Sequence, residues 1–123
     1  GDDWETIDGS GVRDYIHIMD LSEGHIDAIN FLLSKESCCE FINLGSGKGY
    51  SVFQIIRQFE LCTGCQIPFS IQSRRDGDVP ESFADISKAK KLLGWIPKRS
   101  LEQICLDGWN WQMNNPNGFN SKC

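Results

Sequence analysis

The sequence predicts an α/β domain built on a small, mostly parallel sheet. Extended apolar runs alternate with segments of helical periodicity, in the order strand, helix, strand, helix, strand, irregular loop, helix, helix. The 123 residues are 40% hydrophobic and 24% charged, as in one ordinary globular domain. About three strands is few for a free-standing domain, so we expect the chain to be part of a longer protein.

The charge balance excludes some classes of partner. Lys and Arg number 12 and Asp and Glu 17, a net charge of −5, which argues against a nucleic-acid-binding face. No apolar run approaches the ~20 residues that span a bilayer. The acidic start has neither an initiator Met nor a signal peptide, consistent with a chain cut from something longer. An anionic small molecule remains a candidate ligand.

The first strand is predicted over residues 12–18, after a Gly/Ser turn. Alternate side chains of a strand point to opposite sides, which places Arg13, Tyr15 and His17 together on one side. The opposite side is mostly apolar. This pattern is typical of a strand seated in a core that presents polar groups to a ligand, or of a solvated strand face.

The remaining elements follow from periodicity and turn residues. They are a helix over residues 21–34, strands over 40–44 and 67–71, and helices over 52–62, 88–93 and 101–114. We expect Asp20 to cap the first helix, Ser51 the second, either Asp85 or Ser87 the third, and Ser100 the last.

The glycine-rich segment 45–49 (GSGKG) lies between a strand and a helix, where phosphate-binding loops occur. A dinucleotide fingerprint would need a third glycine where Tyr50 stands, and a Walker A loop would need one where Ile42 stands. The sequence therefore favours a tight structural turn. A weaker role, with the loop backbone near a nucleotide, stays open.

The six cysteines are Cys38, Cys39, Cys62, Cys65, Cys105 and Cys123. The pair Cys62 and Cys65 forms a CxxC, which could be redox-active or half of a zinc site. No second CxxC and no suitably spaced His pair accompanies it, and it ends a helix, whereas a thioredoxin-like pair opens one. We expect free thiols in a reducing compartment and no metal site.

The charged segment 74–80 is too polar and irregular for a core element. Arg74 and Arg75, with Asp78 nearby, form either a solvated cluster or an arginine site for a diphosphate with a carboxylate for ribose hydroxyls. Spacing alone leaves both interpretations open.

Four segments together carry a family resemblance: DGSGVRDYIHIMDLSEGHIDAI, FINLGSGKGYSV, RRDGDVPESFADISKAKKLLGW and DGWNWQMNNPNGF. In this order they resemble the C-terminal part of UDP-glucose 4-epimerases, which belong to the extended short-chain dehydrogenase/reductase family. The resemblance runs from about Trp4 to Phe119. Within that family, GVRDYIHxMDL is more similar to the epimerases than to the dehydratases or decarboxylases.

The resemblance implies that residues 1–123 form the substrate-binding lobe of an enzyme that interconverts UDP-glucose and UDP-galactose. It also implies an NAD cofactor bound by an N-terminal Rossmann domain that this chain lacks. Dimerisation of the parent enzyme through that absent domain and a cytoplasmic location are further expectations. The ligand of this chain would then be a UDP-sugar.

The resemblance assigns six substrate-binding residues: Arg13 and Arg75 to the phosphates, Asp78 to the ribose hydroxyls, Tyr15 beside the nucleotide, Val52 near the uracil–ribose end, and Ser82 in the hexose pocket. A small residue at Ser82 would leave room for an N-acetyl group, so UDP-N-acetylhexosamines are further expected substrates. Asp14 and His17 are expected to be structural.

The family's catalytic Tyr-x-x-x-Lys pair has no match, because Tyr15 is followed by Met19 and Tyr50 by Gln54. We therefore expect no catalytic residue in this chain and no activity of the chain alone. Three alternatives remain: another epimerase of the family, such as one acting on UDP-uronates, a non-catalytic nucleotide-sugar-binding module, or an interaction domain without a ligand.

Overall fold

The computed structural model describes residues 1–118 of the chain. Its elements are β1 (Val12–Asp14), α1 (Ile18–Leu33), β2 (Gly49–Ser51), α2 (Val52–Thr63), β3 (Glu81–Ser82), α3 (Ser87–Leu93) and α4 (Leu101–Asn114). The helices pack in two pairs, α2 against α4 and α1 against α3. The α/β class predicted from the alternation of elements is confirmed.

The three strands form one sheet in the order β2-β1-β3. β1 pairs with β2 in the antiparallel sense and with β3 in the parallel sense. The sheet is therefore mixed, and the prediction of a mostly parallel sheet is wrong on this point. Arg13, in the middle of the central strand, lies opposite Tyr50 on one side and Ser82 on the other.

Two predicted strands do not form in the described part of the chain. Residues 40–44 and 67–71 join no ladder, and the first strand ends at Asp14. The apolar alternation of residues 40–44 serves helix packing instead. A methyl group added at Gly24 of α1 would lie 2.8 Å from a methyl carbon of Leu44. Strand pairing is supplied instead by residues 49–51 and 81–82.

The helix ends follow the predicted capping chemistry in two of four cases. Ser51 and Ser100 each cap a helix through a complete capping box, with Gln54 and Gln103 as the reciprocal partners. The cap of α1 is His17, whose Nδ1 accepts a hydrogen bond from the Met19 amide at 3.0 Å, so the assignment to Asp20 is wrong.

Neither Asp85 nor Ser87, the two residues predicted as the cap of α3, occupies the cap position. Ile86 occupies the cap position and makes no side-chain cap bond. The Asp85 carboxylate accepts a hydrogen bond from the Ser87 amide at 2.9 Å. Ser87 is thus the first helical residue and not the cap.

Asp20 is instead the centre of a buried polar cluster that ties α1 to the segment before α4. The Asp20 carboxylate is 1% exposed and accepts hydrogen bonds from the amides of Lys98 and Arg99 and from the Arg99 guanidinium. Burial acts to raise the pKa of Asp20, but these bonds outweigh it and hold the pKa below its usual value. Trp95, also buried, donates its Nε1–H to the Asp20 carbonyl at 3.0 Å.

Much apolar surface remains uncovered. Leu33, Phe41 and Leu61 are 80% or more exposed, whereas the buried apolar residues of the described chain are Val12, Ala89, Trp95 and Cys105. Among residues 1–118, no helix has the length and apolar character needed to cross a bilayer.

Candidate functional site

The site forms where β1 meets the loop before β3. Arg13 Nη2 lies 3.8 Å from Asp78 Oδ1, and Arg75 Nε lies 3.5 Å from Asp78 Oδ2. The structure therefore brings together three of the six predicted residues, with the carboxylate between two guanidinium groups. The cluster carries a formal charge of +1 on an acidic chain.

The two arginines differ in how they are held. Arg13 is about one-third exposed, and its Nη1 donates to the carbonyl of its neighbour Val12 at 2.7 Å. The side chain of Arg75 is 89% exposed, and among residues 1–118 its ion pair is the long contact with Asp78. Both distances to Asp78 are longer than those of strong charge-assisted bonds, so the nitrogens can turn to an anion without breaking a tight pair.

A groove of about 410 Å³ opens beside this cluster. One wall is the start of α2, with Val52, Phe53 and Ile56, and the other is residues 69–73 together with Arg75 and Asp78. The groove is thus lined by apolar side chains of α2 on one wall and, on the other, by Phe69 and Ile71 together with the charged groups of Arg75 and Asp78. Val52, predicted from the sequence, lies in its apolar wall.

A second, more open hollow of about 590 Å³ lies on the other side of β1. Arg13 and Ser82 line it together, as their opposed positions on β1 and β3 require. Arg13 contacts Asp78 of the first groove and also lines the second hollow. It therefore joins the two.

Tyr15 is the predicted residue that the structure does not bring to either hollow. It is half-buried just after β1, and burial raises the pKa of its phenol while the Arg13 charge opposes that rise. Its predicted place beside a nucleotide stays a prediction.

The loop 45–49 is a structural turn, and none of its residues lines either of these hollows. Two of its amides already have an acceptor, because the Asp14 carboxylate accepts hydrogen bonds from Ser46 at 2.7 Å and Gly47 at 3.3 Å. The same carboxylate also accepts from the Ala84 amide at 3.0 Å. A side chain at Gly45 would collide with the Asp14 carboxylate and with the side chain of Ala84, so only glycine fits there.

Residues 1–107 match the sequence model of the GDP-mannose 4,6 dehydratase family. The chain belongs to this family. Among curated proteins it is 47% identical to the UDP-glucose 4-epimerase of Bacillus subtilis over 121 residues, which cover 98% of this chain and 35% of the relative. The human UDP-glucose 4-epimerase is 46% identical over 123 residues, 99% of this chain and 35% of the relative.

Solved structures show the same similarity. The UDP-glucose 4-epimerase of Bifidobacterium longum in complex with NAD⁺ and UDP is 44% identical and superposes with a TM-score of 0.90, over 97% of this chain and 35% of that one. The UDP-Glc/GlcNAc 4-epimerase of Campylobacter jejuni is 35% identical with a TM-score of 0.80, over 93% and 34%. The chain thus spans about a third of the length of these relatives, and its predicted fold class is confirmed.

His17 and Asp14, which lie beside the site, have structural contacts, as predicted. His17 is buried, caps α1 and contacts Asp107 of α4, with 3.0 Å between Nε2 and Oδ2. The Asp14 carboxylate accepts hydrogen bonds from three backbone amides. Sequence alternation had placed His17 beside Arg13 and Tyr15, but β1 ends before it.

The site also contains residues that the sequence did not single out. Phe69 stacks at a tilt against Phe53 across the groove, with 5.5 Å between ring centroids. Ser10 lies at its floor, where its hydroxyl donates to Asp8 and accepts from the Phe53 amide. Phe69 belongs to the apolar run 67–71, which could have indicated a groove wall but was predicted to be a strand.

The cysteines show no sign of catalytic chemistry. Cys38, Cys39, Cys62, Cys65 and Cys105 are free thiols, as predicted, while Cys123 lies outside the described residues. Burial, with a smaller contribution from Cys62, raises the pKa of Cys105 to about 11, which keeps it a protonated thiol at neutral pH. Within residues 1–118 no three metal-ligating side chains are grouped.

Proposed function

We propose that this chain is the C-terminal, UDP-sugar-binding portion of a UDP-glucose 4-epimerase. The single observation that carries the proposal is the placement of Arg13 and Arg75 on either side of Asp78, next to a groove that Arg75 and Asp78 line together with apolar side chains at the start of α2. A nucleoside diphosphate likewise combines a flat, weakly polar base with an anionic diphosphate.

The proposed roles follow from this geometry. The guanidinium groups of Arg13 and Arg75 donate to the diphosphate oxygens, and the planar fork of arginine suits that pattern. The Asp78 carboxylate, freed from its long arginine contacts, accepts hydrogen bonds from ribose hydroxyls. The apolar wall at Val52 covers the uracil–ribose end, and Tyr15 lies beside the nucleotide.

The interconversion of UDP-glucose and UDP-galactose needs NAD, and this chain does not fit that cofactor. The amides of Ser46 and Gly47 in its glycine-rich loop already donate to Asp14. We propose that the N-terminal Rossmann domain of the parent enzyme binds NAD, carries the catalytic residues and forms a homodimer. This chain holds the nucleotide end of the substrate while the sugar reacts elsewhere, and we place the parent enzyme in the cytoplasm.

Sugar selectivity would depend on Ser82. It lines the open hollow next to Arg13, and its small side chain leaves space that an N-acetyl group can occupy. The similarity to an enzyme named for both UDP-Glc and UDP-GlcNAc is consistent with this proposal. We therefore propose UDP-N-acetylglucosamine as a second substrate.

Steady-state kinetics of the full-length protein tests the main proposal. Arg13→Ala and Arg75→Ala should each lower kcat/KM for UDP-galactose by tenfold or more, because each removes charge-assisted bonds to the diphosphate, each worth about 1.5 kcal/mol or more. Lys91→Ala, an exposed cation on α3, is the control and should leave kcat/KM unchanged. Parent-like values in both arginine variants would contradict the proposal.

The alternatives predict other results in the same assay. A UDP-uronate epimerase would prefer UDP-glucuronate to UDP-glucose, and a non-catalytic module would bind UDP without converting any sugar. An interaction domain would bind no UDP. The chain alone, supplied with NAD⁺ and UDP-galactose, should produce no UDP-glucose, because it lacks the Tyr-x-x-x-Lys pair.

A further inference from the structure

The wall of the groove formed by residues 69–78 has no strand or helix to fix it. In the described chain it joins no ladder, yet it carries both Arg75 and Asp78. One end is held by the contact of Phe69 with Phe53, and the other by the contact of Asp78 with Arg13. A segment of this kind depends on side-chain contacts for its position.

The middle of the segment is held by Arg74. Its Nε donates to Asp3 Oδ1 at 2.7 Å, and its Nη2 donates to the Asp3 carbonyl at 2.6 Å. The same guanidinium lies 3.6 Å from the centroid of the Trp4 ring. Trp4 is itself tied to the turn before β1, because its amide donates to the Gly9 carbonyl at 2.9 Å.

These contacts use the properties that distinguish arginine from lysine. The planar fork can donate to a carboxylate and a carbonyl at once while its face stacks on an indole ring. Two of its nitrogens and one face are thereby occupied. Arg75, its neighbour in sequence, is 89% exposed at the groove. The two adjacent arginines thus have different surroundings, one bound to the protein and one open to a ligand.

We propose that Arg74 is a positioning residue for nucleotide binding. With Asp3 and Trp4 it forms a clasp, here called the Arg74 clasp, that fixes residues 69–78 on the N-terminal segment. The clasp thereby holds Arg75 and Asp78 at the groove without itself contacting the ligand. This inference rests on the proposed function and extends it by one residue that the family resemblance did not assign.

Calorimetric titration of the 123-residue chain with UDP measures the effect. Arg74→Ala and Trp4→Ala should each raise the Kd for UDP by about tenfold, and the double variant should be no weaker than the single ones. Arg74→Lys should lie between, because it retains the charge but loses the fork. Lys91→Ala loses the same charge away from the groove and should bind as the parent does. If the Kd for UDP of Arg74→Ala equalled that of Lys91→Ala, the proposal would be overturned.

The variant Asp3→Asn separates positioning from direct contact by the sign of its effect. If Arg74 positions the segment, loss of the Asp3 charge loosens the clasp and raises the Kd for UDP. If Arg74 itself bound the diphosphate, removal of a competing carboxylate would lower the Kd. Tighter binding by Asp3→Asn would therefore overturn the proposal.

Hydrogen exchange of the ligand-free chain tests the Arg74 clasp independently of the proposed function. Residues 69–78 should exchange faster in Arg74→Ala and Trp4→Ala than in the parent or in Lys91→Ala. Unchanged exchange would overturn the clasp, whatever the titrations show. Faster exchange in a chain that binds no UDP would support the clasp and overturn the proposed function.

Discussion

Two arginine–aspartate clusters in this chain use the same chemical groups in opposite ways. Around Asp20 the carboxylate is 1% exposed and accepts from two backbone amides and the Arg99 guanidinium. Around Asp78 the carboxylate is about one-third exposed, and its arginine contacts are 3.8 and 3.5 Å long. The first cluster is complete without a ligand, whereas the second leaves donors and acceptors free.

The comparison shows why a charge cluster in a sequence does not reveal its role. A closed cluster stabilises the fold, since its groups satisfy one another. An open cluster on an ordered backbone adds little stability and is available for binding. Variants that remove one group from either cluster should therefore differ in their effect on stability.

The largest effect is expected for Asp20→Ala. It leaves the amides of Lys98 and Arg99 without their acceptor and removes one of the two carboxylates that the Arg99 guanidinium binds, the other being that of Glu23. The free energy of unfolding should therefore fall by about 3–5 kcal/mol. Asp78→Ala is the matched control and should cost about 1 kcal/mol or less. Urea unfolding of both variants, followed by circular dichroism, measures the difference. Equal losses would show that the two clusters are not distinct.

The second-largest loss of stability is expected for a change at Asp14, because its carboxylate accepts from three backbone amides but is only half-buried. Asp14→Asn places a donor against one of these amides and should lower the free energy of unfolding by about 2 kcal/mol at pH 7.

The pH dependence of the Asp14 variant has a definite sign. Burial acts to raise the pKa of Asp14, but its bonds with Ser46, Ala84 and Gly47 outweigh burial and lower the pKa below the ordinary 3.8. Its stabilising effect is therefore complete above that pH and is lost as the pH falls through the lowered value. The difference between parent and Asp14→Asn should stay constant from about pH 7 to about pH 5 and shrink as the pH falls below about 4, and a difference that stays constant down to about pH 2 would contradict this account.

The smallest of these effects is on selectivity. Ser82→Tyr should fill part of the hollow beside Arg13 and lower kcat/KM for UDP-N-acetylglucosamine relative to UDP-glucose by about tenfold or more. The full-length protein and its Ser34→Tyr variant, altered at an exposed site after α1, are the controls. An unchanged ratio in Ser82→Tyr would exclude a role of this residue in selectivity.

The sequence predicted the helices better than the sheet, and the reason is physical. Helix ends are local, so Ser51 and Ser100 could be recognised from residues three positions away. Strand pairing is not local, and the apolar runs at residues 40–44 and 67–71 resembled strands although they pair with nothing in the described chain. The short strands that do form, at residues 49–51 and 81–82, have little apolar character to indicate them.

For the site, too, the sequence indicated some residues and could not indicate contacts between distant parts of the chain. The resemblance named Arg13, Arg75 and Asp78, and the structure places them together. Spacing could not show that Arg74 turns away from the groove to Trp4, because that contact joins residues 70 positions apart. Long-range side-chain contacts of this kind appear only once the backbone is in place.

The most direct test of the central claim is a calorimetric comparison of UDP and UMP binding to this chain and to Arg75→Ala. If the open cluster binds a diphosphate, the chain should prefer UDP to UMP, and Arg75→Ala should weaken UDP binding by about tenfold or more. The free energy of unfolding should change by no more than about 0.5 kcal/mol, because Arg75 is 89% exposed. Equal affinity of the chain for UDP and UMP, or an unchanged Kd for UDP in Arg75→Ala, would contradict the account.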